Sequence, residues 1–497
     1  MAAALMVLGT ASNVGKSWVC TALCRMLSRR GYRVAPFKAQ NMSNNAAPAR
    51  TAAGGWGEIG RAQAAQAAAA GLAPHVDMNP LLLKPTGGMG AQVVLLGEPL
   101  GHMKALRYRE RLPEWQAVVH AAYDRLAANH DIVVIEGAGS PAEINLKARD
   151  IVNMSMAAHA IGRAREAGKP GGCLLVGDIE RGGVFASLHG TLALLTPEER
   201  ALISGVVINR FYGDPALLAP GPAMFAELTG VRVRGVLPFR GDIAIDEEDA
   251  QDLRSSAPGE IDVCVVRLPT VSNFTDVSSL EAAPGVSVRY TRTLEGIGNP
   301  DLLVLPGAKD TLSDLRWMKR AGLDRGVRAA AGRGIPVLGI CGGYQLLGRT
   351  IVDPSGVGGG SGVEPALGLL PVETIFSHDK QVREVSGATR GGWLLPGGLS
   401  VSGYEIHQGR TAPSTAPLLW LDGAMDGAVS GLVAGTYLHG ILDDSAVRTA
   451  LVNVLRERKA LPPLSEAIEG AQAFRDRQYG AAADLVEAHL DIADMLP

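Results

Sequence analysis

A cysteine set among glycines at the end of a buried apolar run most narrows what this chain can fold into. Ile335-Pro336-Val337-Leu338-Gly339-Ile340 reads as a short buried strand, and Tyr344-Gln345-Leu346-Leu347-Gly348 opens a helical pattern. Between them stands Cys341-Gly342-Gly343, so glycines flank the thiol in a G-x-C-x-G spacing, the sulfur counterpart of the serine nucleophile elbow. Small residues permit the sharp turn and leave the next N–H, that of Gly342, to stabilise an oxyanion. A cysteine without such context is ordinarily a core residue. Here the glycines and a candidate base argue for a nucleophile.

That base is His439, in Gly435-Thr436-Tyr437-Leu438-His439-Gly440, just after the apolar run Gly431-Leu432-Val433-Ala434. A histidine at a strand end followed by glycine can project into a pocket and draw the proton from a thiol, whose thiolate then attacks a carbonyl carbon. Leu302-Leu303-Val304-Leu305 is a third strand, and its Pro306-Gly307-Ala308 turn offers a second oxyanion N–H at Gly307. The three segments together resemble a class I glutamine amidotransferase domain, in which cysteine releases ammonia from glutamine. Most such domains place an orienting glutamate two residues after the histidine, where this chain has Ile441. The branch of the family that acts on cobyrinic acids resembles this chain in lacking that glutamate. The expectation is a Cys341–His439 pair with its orienting group unassigned.

A second chemical centre lies near the amino terminus. Met6-Val7-Leu8-Gly9-Thr10 is an apolar strand running into Ala11-Ser12-Asn13-Val14-Gly15-Lys16-Ser17, and Val19, Leu23 and Leu27 mark the helix that follows. Strand, glycine-bearing loop, Gly-Lys-Ser and helix are the context of a phosphate-binding loop, whose N–H groups and helix N-terminus face phosphates. Lys16 supplies positive charge, and the Ser17 hydroxyl suits Mg²⁺. Thr10 stands where such a loop usually has glycine, a variant that resembles dethiobiotin synthetase and its relatives. The resemblance implies nucleotide contacts from Thr10, Asn13, Gly15, Lys16 and Ser17, and from Lys38 at the end of Arg33-Val34-Ala35-Pro36-Phe37-Lys38. Asp131-Ile132-Val133-Val134-Ile135-Glu136 is a buried strand ending in a carboxylate, so Glu136 is a candidate Mg²⁺ ligand. Gly172-Cys173-Leu174-Leu175-Val176-Gly177-Asp178 repeats that design, and Asp178 with Arg181 after it is placed to reach metal or substrate. Asn209 closes the strand Gly205–Ile208 and is a candidate for the adenine edge.

At 497 residues the chain exceeds a single core, and two α/β domains are expected: a P-loop, parallel-sheet domain over 1–248 and an amidotransferase-like domain over 260–445. A helical tail over 446–497 follows, and the acidic Asp246–Asp252 with Ser255–Gly259 reads as the linker. A net charge of −3 without a basic run speaks against nucleic acid as a partner. No apolar stretch approaches the ~18 residues of a membrane span. Five scattered cysteines, and no signal peptide before the first strand, lead to the expectation of reduced thiols in the cytoplasm. Nothing in the sequence speaks to oligomeric state.

A nucleoside-triphosphate site followed by a glutaminase site suggests ATP-dependent amidation, with phosphate transfer making a carboxylate into an acyl phosphate that ammonia displaces. Nearly the whole chain resembles the cobyrinic acid amidase family of the vitamin B12 pathway. The resemblance runs through Val34-Ala35-Pro36-Phe37-Lys38-Ala39-Gln40-Asn41-Met42-Ser43, Asn79-Pro80-Leu81-Leu82-Leu83-Lys84-Pro85, Asp178–Ala186, Gly403-Tyr404-Glu405-Ile406-His407 and Tyr437–Gly440. Its Gln40-Asn41-Met42 and Asn79–Pro85 segments resemble the branch that amidates the b, d, e and g groups of adenosylcobyrinic acid a,c-diamide. The resemblance implies ATP, Mg²⁺, glutamine and a corrinoid polycarboxylate, with Asn41, Asn44, Lys84 and Arg181 as substrate contacts. Glu405 and His407 are candidates for the glutaminase pocket or the domain interface, and ordinary strand-edge polarity accounts for both equally well. Three alternatives stay open: the sister branch that amidates the a and c groups, a partition-type ATPase that performs no ligation, and a degenerate amidotransferase acting as a binding scaffold, since Ile441 removes the usual orienting acid.

Overall fold

Seven consecutive buried residues, Ala3–Gly9, form a central strand of the first sheet. The structure is a computed structural model and describes residues 1–86, 90–245, 255 and 258–497. Across this sheet the order is Val233–Pro238, Ile203–Phe211, Gly171–Asp178, Ala3–Gly9, Ile132–Glu136 and Val34–Phe37, with every neighbouring pair parallel. Ala3, Leu5 and Val7 face a core shared with helix Lys16–Arg29, whereas Ala4, Met6 and Leu8 face one shared with Trp115, Val119 and Met156. Burial on both faces is why the strand is apolar throughout rather than alternating. The connection leaving Ala3–Gly9 runs toward Val34–Phe37, and the one leaving Gly171–Asp178 runs the opposite way. Such a reversal opens a crevice at the carboxyl ends of the strands.

An insertion after Val34–Phe37 breaks the alternation of strand and helix. Gln40–Met42, Leu81–Pro85, Gly90–Leu95 and Glu98–Lys104 form a small sheet, and Ala46–Arg50 pairs antiparallel with Trp56–Gly60. The second large sheet has the order Val286–Thr291, Ile261–Val266, Leu302–Leu305, Val337–Ile340, Val433–Thr436, Ala428–Ser430. It is parallel except at its last pair. Beside it a mixed sheet is built around the long antiparallel pair Glu373–Thr389 and Ser400–Thr411. The fold is therefore α/β, with a P-loop parallel sheet in front and an amidotransferase-like sheet behind. The acidic segment 246–252 lies outside the described residues.

Residues 446–497 serve both cores. Helix Ser445–Arg458 puts Val447, Leu451, Val452 and Leu455 into the rear core. Helix Ala471–His489 returns to the front and buries Tyr479, Ala482, Ala483 and Val486 with the residues of Lys16–Arg29. No helix among the described residues is long and apolar enough to cross a membrane.

Front and rear meet at a small apolar cluster of Ala46, Leu82 and Val94 against Tyr404 and Ile406. Next to it Glu58, fully buried, is salt-bridged to Lys84 of its own side and Lys380 of the other. Burial pushes the Glu58 carboxyl up, but Lys380 and Lys84 outweigh it and bring it down to about 2. Burial pushes Lys84 down to about 7. The stability that Glu58 contributes is present above the usual carboxylate range and is lost as pH falls through about 2. Removing one partner of such a group strands buried charge. Glu58→Ala is expected to lower unfolding stability by about 3–5 kcal/mol, read from the urea midpoint at neutral pH.

Candidate active sites

Gly339 and Gly435 lie in register with Leu305 across three adjacent parallel strands, so the turns after those strands converge. They carry Gly307, Cys341 and His439. Cys341 has φ 51° and ψ −106°, a backbone conformation rare for a residue with a side chain. Helix Gly342–Leu347 starts immediately after it. A Cβ on Gly342 would sit 2.6 Å from the Ala308 amide nitrogen, so the Gly307-Ala308 turn lies directly against the elbow. A Cβ on Gly307 would meet His439 Cε1 at 3.2 Å. The four expected residues Cys341, His439, Gly307 and Gly342 are thus gathered in one place.

Asp276 supplies the carboxylate that position 441 lacks. Its Oδ2 lies 2.7 Å from His439 Nδ1, and its Oδ1 accepts the Gly440 N–H at 2.8 Å. Asp276 sits on helix Thr275–Glu281, after the strand Ile261–Val266, one strand further along the same sheet edge. The available signal was an acid just beyond the end of a further parallel strand. Ile441 is 1% exposed, a core residue. Tyr404 stacks on the imidazole at 5.1 Å between ring centroids, and its strand exchanges backbone hydrogen bonds with His439. The thiol approaches the Ile406 carbonyl at 3.7 Å. Burial pushes His439 down, but Asp276 and Cys341 outweigh it and raise it to about 10. By contrast, burial pushes Cys173 up to about 12 and Cys264 up to about 11. Thiols held protonated in that way are poor nucleophiles. Glu405 and His407 line a cavity of about 280 Å³ together with Arg383, Arg410, Asp426 and Tyr437.

The front site is built on Glu136. Its Oε1 accepts from Ser17 Oγ at 2.8 Å and from Lys38 Nζ at 2.9 Å, and its Oε2 accepts from Gln66 at 2.5 Å and more distantly from Gln63. Burial pushes the Glu136 carboxyl up, and Lys38 and its hydrogen-bond donors reverse this, so it is held below its ordinary value. Lys16 folds back over the loop onto the carbonyls of Ala11 at 2.8 Å and Gly139 at 3.0 Å. Gly15 at φ 95° and Asn13 at φ 59° turn the loop, and the Thr10 N–H bonds Val176. Asn209, expected at the adenine edge, instead donates its side-chain amide to the Val14 carbonyl at 2.9 Å and so braces the loop. Asp178 is paired with Arg210 at 3.0 Å rather than joining Ser17 and Glu136, and Arg181 reaches it only at 3.9 Å with a largely exposed side chain. Asn41 donates to Gln63 at 2.8 Å, and Asn44 is half-buried nearby. Lys84, expected to reach substrate, is 3% exposed and committed to Glu58. Among the described residues no group of three or more His, Cys, Asp and Glu side chains is arranged to hold a metal.

The stability His439 contributes is fully present below about pH 6.5 and is lost as pH rises through about 10. Asp276→Asn is expected to cut glutamine hydrolysis by about 10³-fold or more at neutral pH, as loss of a triad carboxylate does elsewhere. The same variant should flatten the fall of the urea midpoint above about pH 8, since its histidine loses the partner that raises it.

Two domain families match successive parts of the chain. The CobQ/CobB/MinD/ParA nucleotide binding domain matches residues 5–253, and the CobB/CobQ-like glutamine amidotransferase domain matches residues 262–447. Cobyric acid synthase of Desulforudis audaxviator is 47% identical, over 98% of this chain and 97% of its own length. Its counterparts from Klebsiella pneumoniae, at 46% over 99% of this chain and 97% of their own, and Sorangium cellulosum, at 47% over 98% and 97%, are as similar. With both domains matched and these relatives 46–47% identical over nearly the whole chain, the chain belongs to the cobyric acid synthase family of glutamine-dependent ligases.

Proposed function

We propose that the chain converts adenosylcobyrinic acid a,c-diamide to adenosylcobyric acid, amidating the b, d, e and g carboxylates with glutamine as nitrogen donor and ATP as the activating substrate. The observation that carries the reading is the buried Asp276–His439–Cys341 arrangement joined in one chain to the Ser17–Glu136–Lys38 cluster.

In the rear site Cys341 is the nucleophile. With His439 as imidazolium, the thiolate attacks the side-chain amide carbon of glutamine, and the oxyanion is met by the turns at Gly307 and Gly342. His439 gives its proton to the departing nitrogen, which leaves as ammonia, and water cleaves the remaining thioester to glutamate. Asp276 keeps the ring turned and offsets its charge. The cavity beside Tyr344 suits the amino-acid end of glutamine, since Arg410 and Glu405 offer a cation for its carboxylate and an anion for its ammonium.

In the front site the phosphates of ATP lie on the loop from Thr10 to Ser17, with Asn13, Gly15 and Lys16 around them and Lys38 beside Glu136. The Ser17 hydroxyl and the Glu136 carboxylate, already 2.8 Å apart, are hard oxygen donors that fit Mg²⁺. Bound there, Mg²⁺ would neutralise phosphate charge. Asp178 is a more distant carboxylate of the same edge. The acceptor carboxylate takes the γ-phosphoryl group, ADP leaves, and ammonia attacks the acyl carbon to release phosphate. Asn41, Asn44 and the exposed Arg181 are the polar groups assigned to the corrinoid. Lys84 is read as the cation that pairs with Glu58 within the front domain, beside Lys380 from across the interface. One phosphoryl site serving successive carboxylates requires the corrinoid to rebind between steps.

Cys341→Ala is expected to abolish amidation with glutamine while keeping it with ammonium, followed by product mass on the a,c-diamide with ATP and Mg²⁺. Products carrying up to four new amides would agree with this reading, whereas two amidations of cobyrinic acid and none of the a,c-diamide would reassign the acceptor.

A further inference from the structure

Both nitrogens of His439 are met by one short segment, and that segment also touches the front domain. Asp276 takes Nδ1 at 2.7 Å, and Asn273, three residues earlier, brings its side-chain Nδ2 to 3.4 Å from Nε2. Asn273 is 4% exposed and has φ 51°, a left-handed conformation that is strained for most residues with a side chain. Its carbonyl also accepts the Asp276 N–H at 3.1 Å, so it starts the turn that delivers the carboxylate. Across the domain boundary its Oδ1 accepts the backbone N–H of Ala46 at 3.0 Å. With its oxygen so engaged, the amide must present NH₂ to His439. A donor in that place favours an unprotonated Nε2 and so works against Asp276 and Cys341, which favour the imidazolium.

Ala46 belongs to the hairpin Ala46–Arg50 with Trp56–Gly60, in which it pairs with Gly60. Arg61 follows at once, donating its N–H to the Asn45 carbonyl at 3.0 Å and opening the helix that carries Gln63 and Gln66. Both glutamines hold Glu136, which in turn holds Ser17 of the phosphate loop. A ligand that draws Glu136 from the glutamines therefore bears on the hairpin that anchors Asn273.

We propose that Asn273 is a positioning residue that couples the two sites. While Ala46 is docked its amide restrains glutamine hydrolysis. When ATP and acceptor draw the hairpin away, the amide turns and its oxygen accepts from His439 Nε2–H. This rests on reading Cys341–His439 as the glutaminase centre and Ser17–Glu136 as the nucleotide site.

The test is glutamate release by the full chain with and without ATP, Mg²⁺ and the corrinoid a,c-diamide, in the parent protein, Asn273→Asp and Asn273→Gly. Both replacements tolerate the left-handed backbone. In the parent, the ligands are expected to stimulate release. Asn273→Asp presents an acceptor to Nε2 whatever Ala46 does, so release without ligands should rise about tenfold, the scale of one hydrogen bond to a charged group. Its stimulation ratio should fall toward one, and Asn273→Gly should lose the stimulation as well. Ammonium-supported amidation, which does not use His439, reports the intact fold and should be unchanged. An unchanged stimulation ratio in both variants, or equal loss of release with and without ligands, overturns the coupling role. A parent protein that hydrolyses no glutamine under either condition overturns the glutaminase reading instead.

Discussion

The chemistry of the rear domain depends on the parallel register of three short strands. Leu305, Gly339 and Gly435 lie level, so the turns that follow them open at one edge of the sheet. Parallel strands require crossover connections, and those connections place every carboxyl end on the same side. A shift of one residue in Val337–Ile340 or Val433–Thr436 would turn its side chains to the opposite face and separate the thiol from the imidazole, and one in Leu302–Leu305 would displace the Gly307 turn. Because Leu302–Leu305, Val337–Ile340 and Val433–Thr436 are wholly buried, hydrophobic burial on both faces holds that register.

Strain and charge are concentrated where this edge meets the front domain. Cys341 and Asn273 both hold φ near 51°, within reach of one histidine. Such conformations persist only where the surroundings over-determine them. Here the surroundings include the strand Ser400–Thr411, whose Tyr404 covers His439 while packing with Ile406 against Ala46, Leu82 and Val94. The buried Glu58, held by a lysine from each side, ties the same two domains together a short way along. The Cys341–His439 centre and the domain interface are therefore built from a shared set of contacts.

Much of the candidate machinery was legible because it is local. Gly9 through Ser17 and Gly339 through Gly343 each carry their turn requirements in consecutive residues, as a strand end, a backbone that needs glycine and a helix start. Lys38 and Glu136 were legible as polar residues closing apolar runs. Asp276 was not: it lies 163 residues from His439, in a stretch with no periodic pattern, and only sheet order brings it there. Asn209 and Lys84 were legible as polar residues near the front site, but the Val14 carbonyl reaches Asn209 through the strand order of the main sheet, and Glu58 reaches Lys84 through the way the insertion folds back. The long pair Glu373–Thr389 and Ser400–Thr411 also escaped, because half-exposed strands lack a continuous apolar run.

By itself the sequence determined the α/β class, and it marked the glycine-bearing loop at Lys16-Ser17, the elbow at Cys341 and His439 as the candidate groups. These follow from short-range sterics and from the burial of contiguous apolar residues, which neighbouring positions encode directly. Tertiary structure alone decided which carboxylate orients His439, that residues 446–497 are shared between two cores, and that Asn273 joins the imidazole to the Ala46 backbone. Those outcomes depend on strand order and docking between distant segments. Many side chains of the same chemistry compete for each such contact, and only the packed fold selects among them.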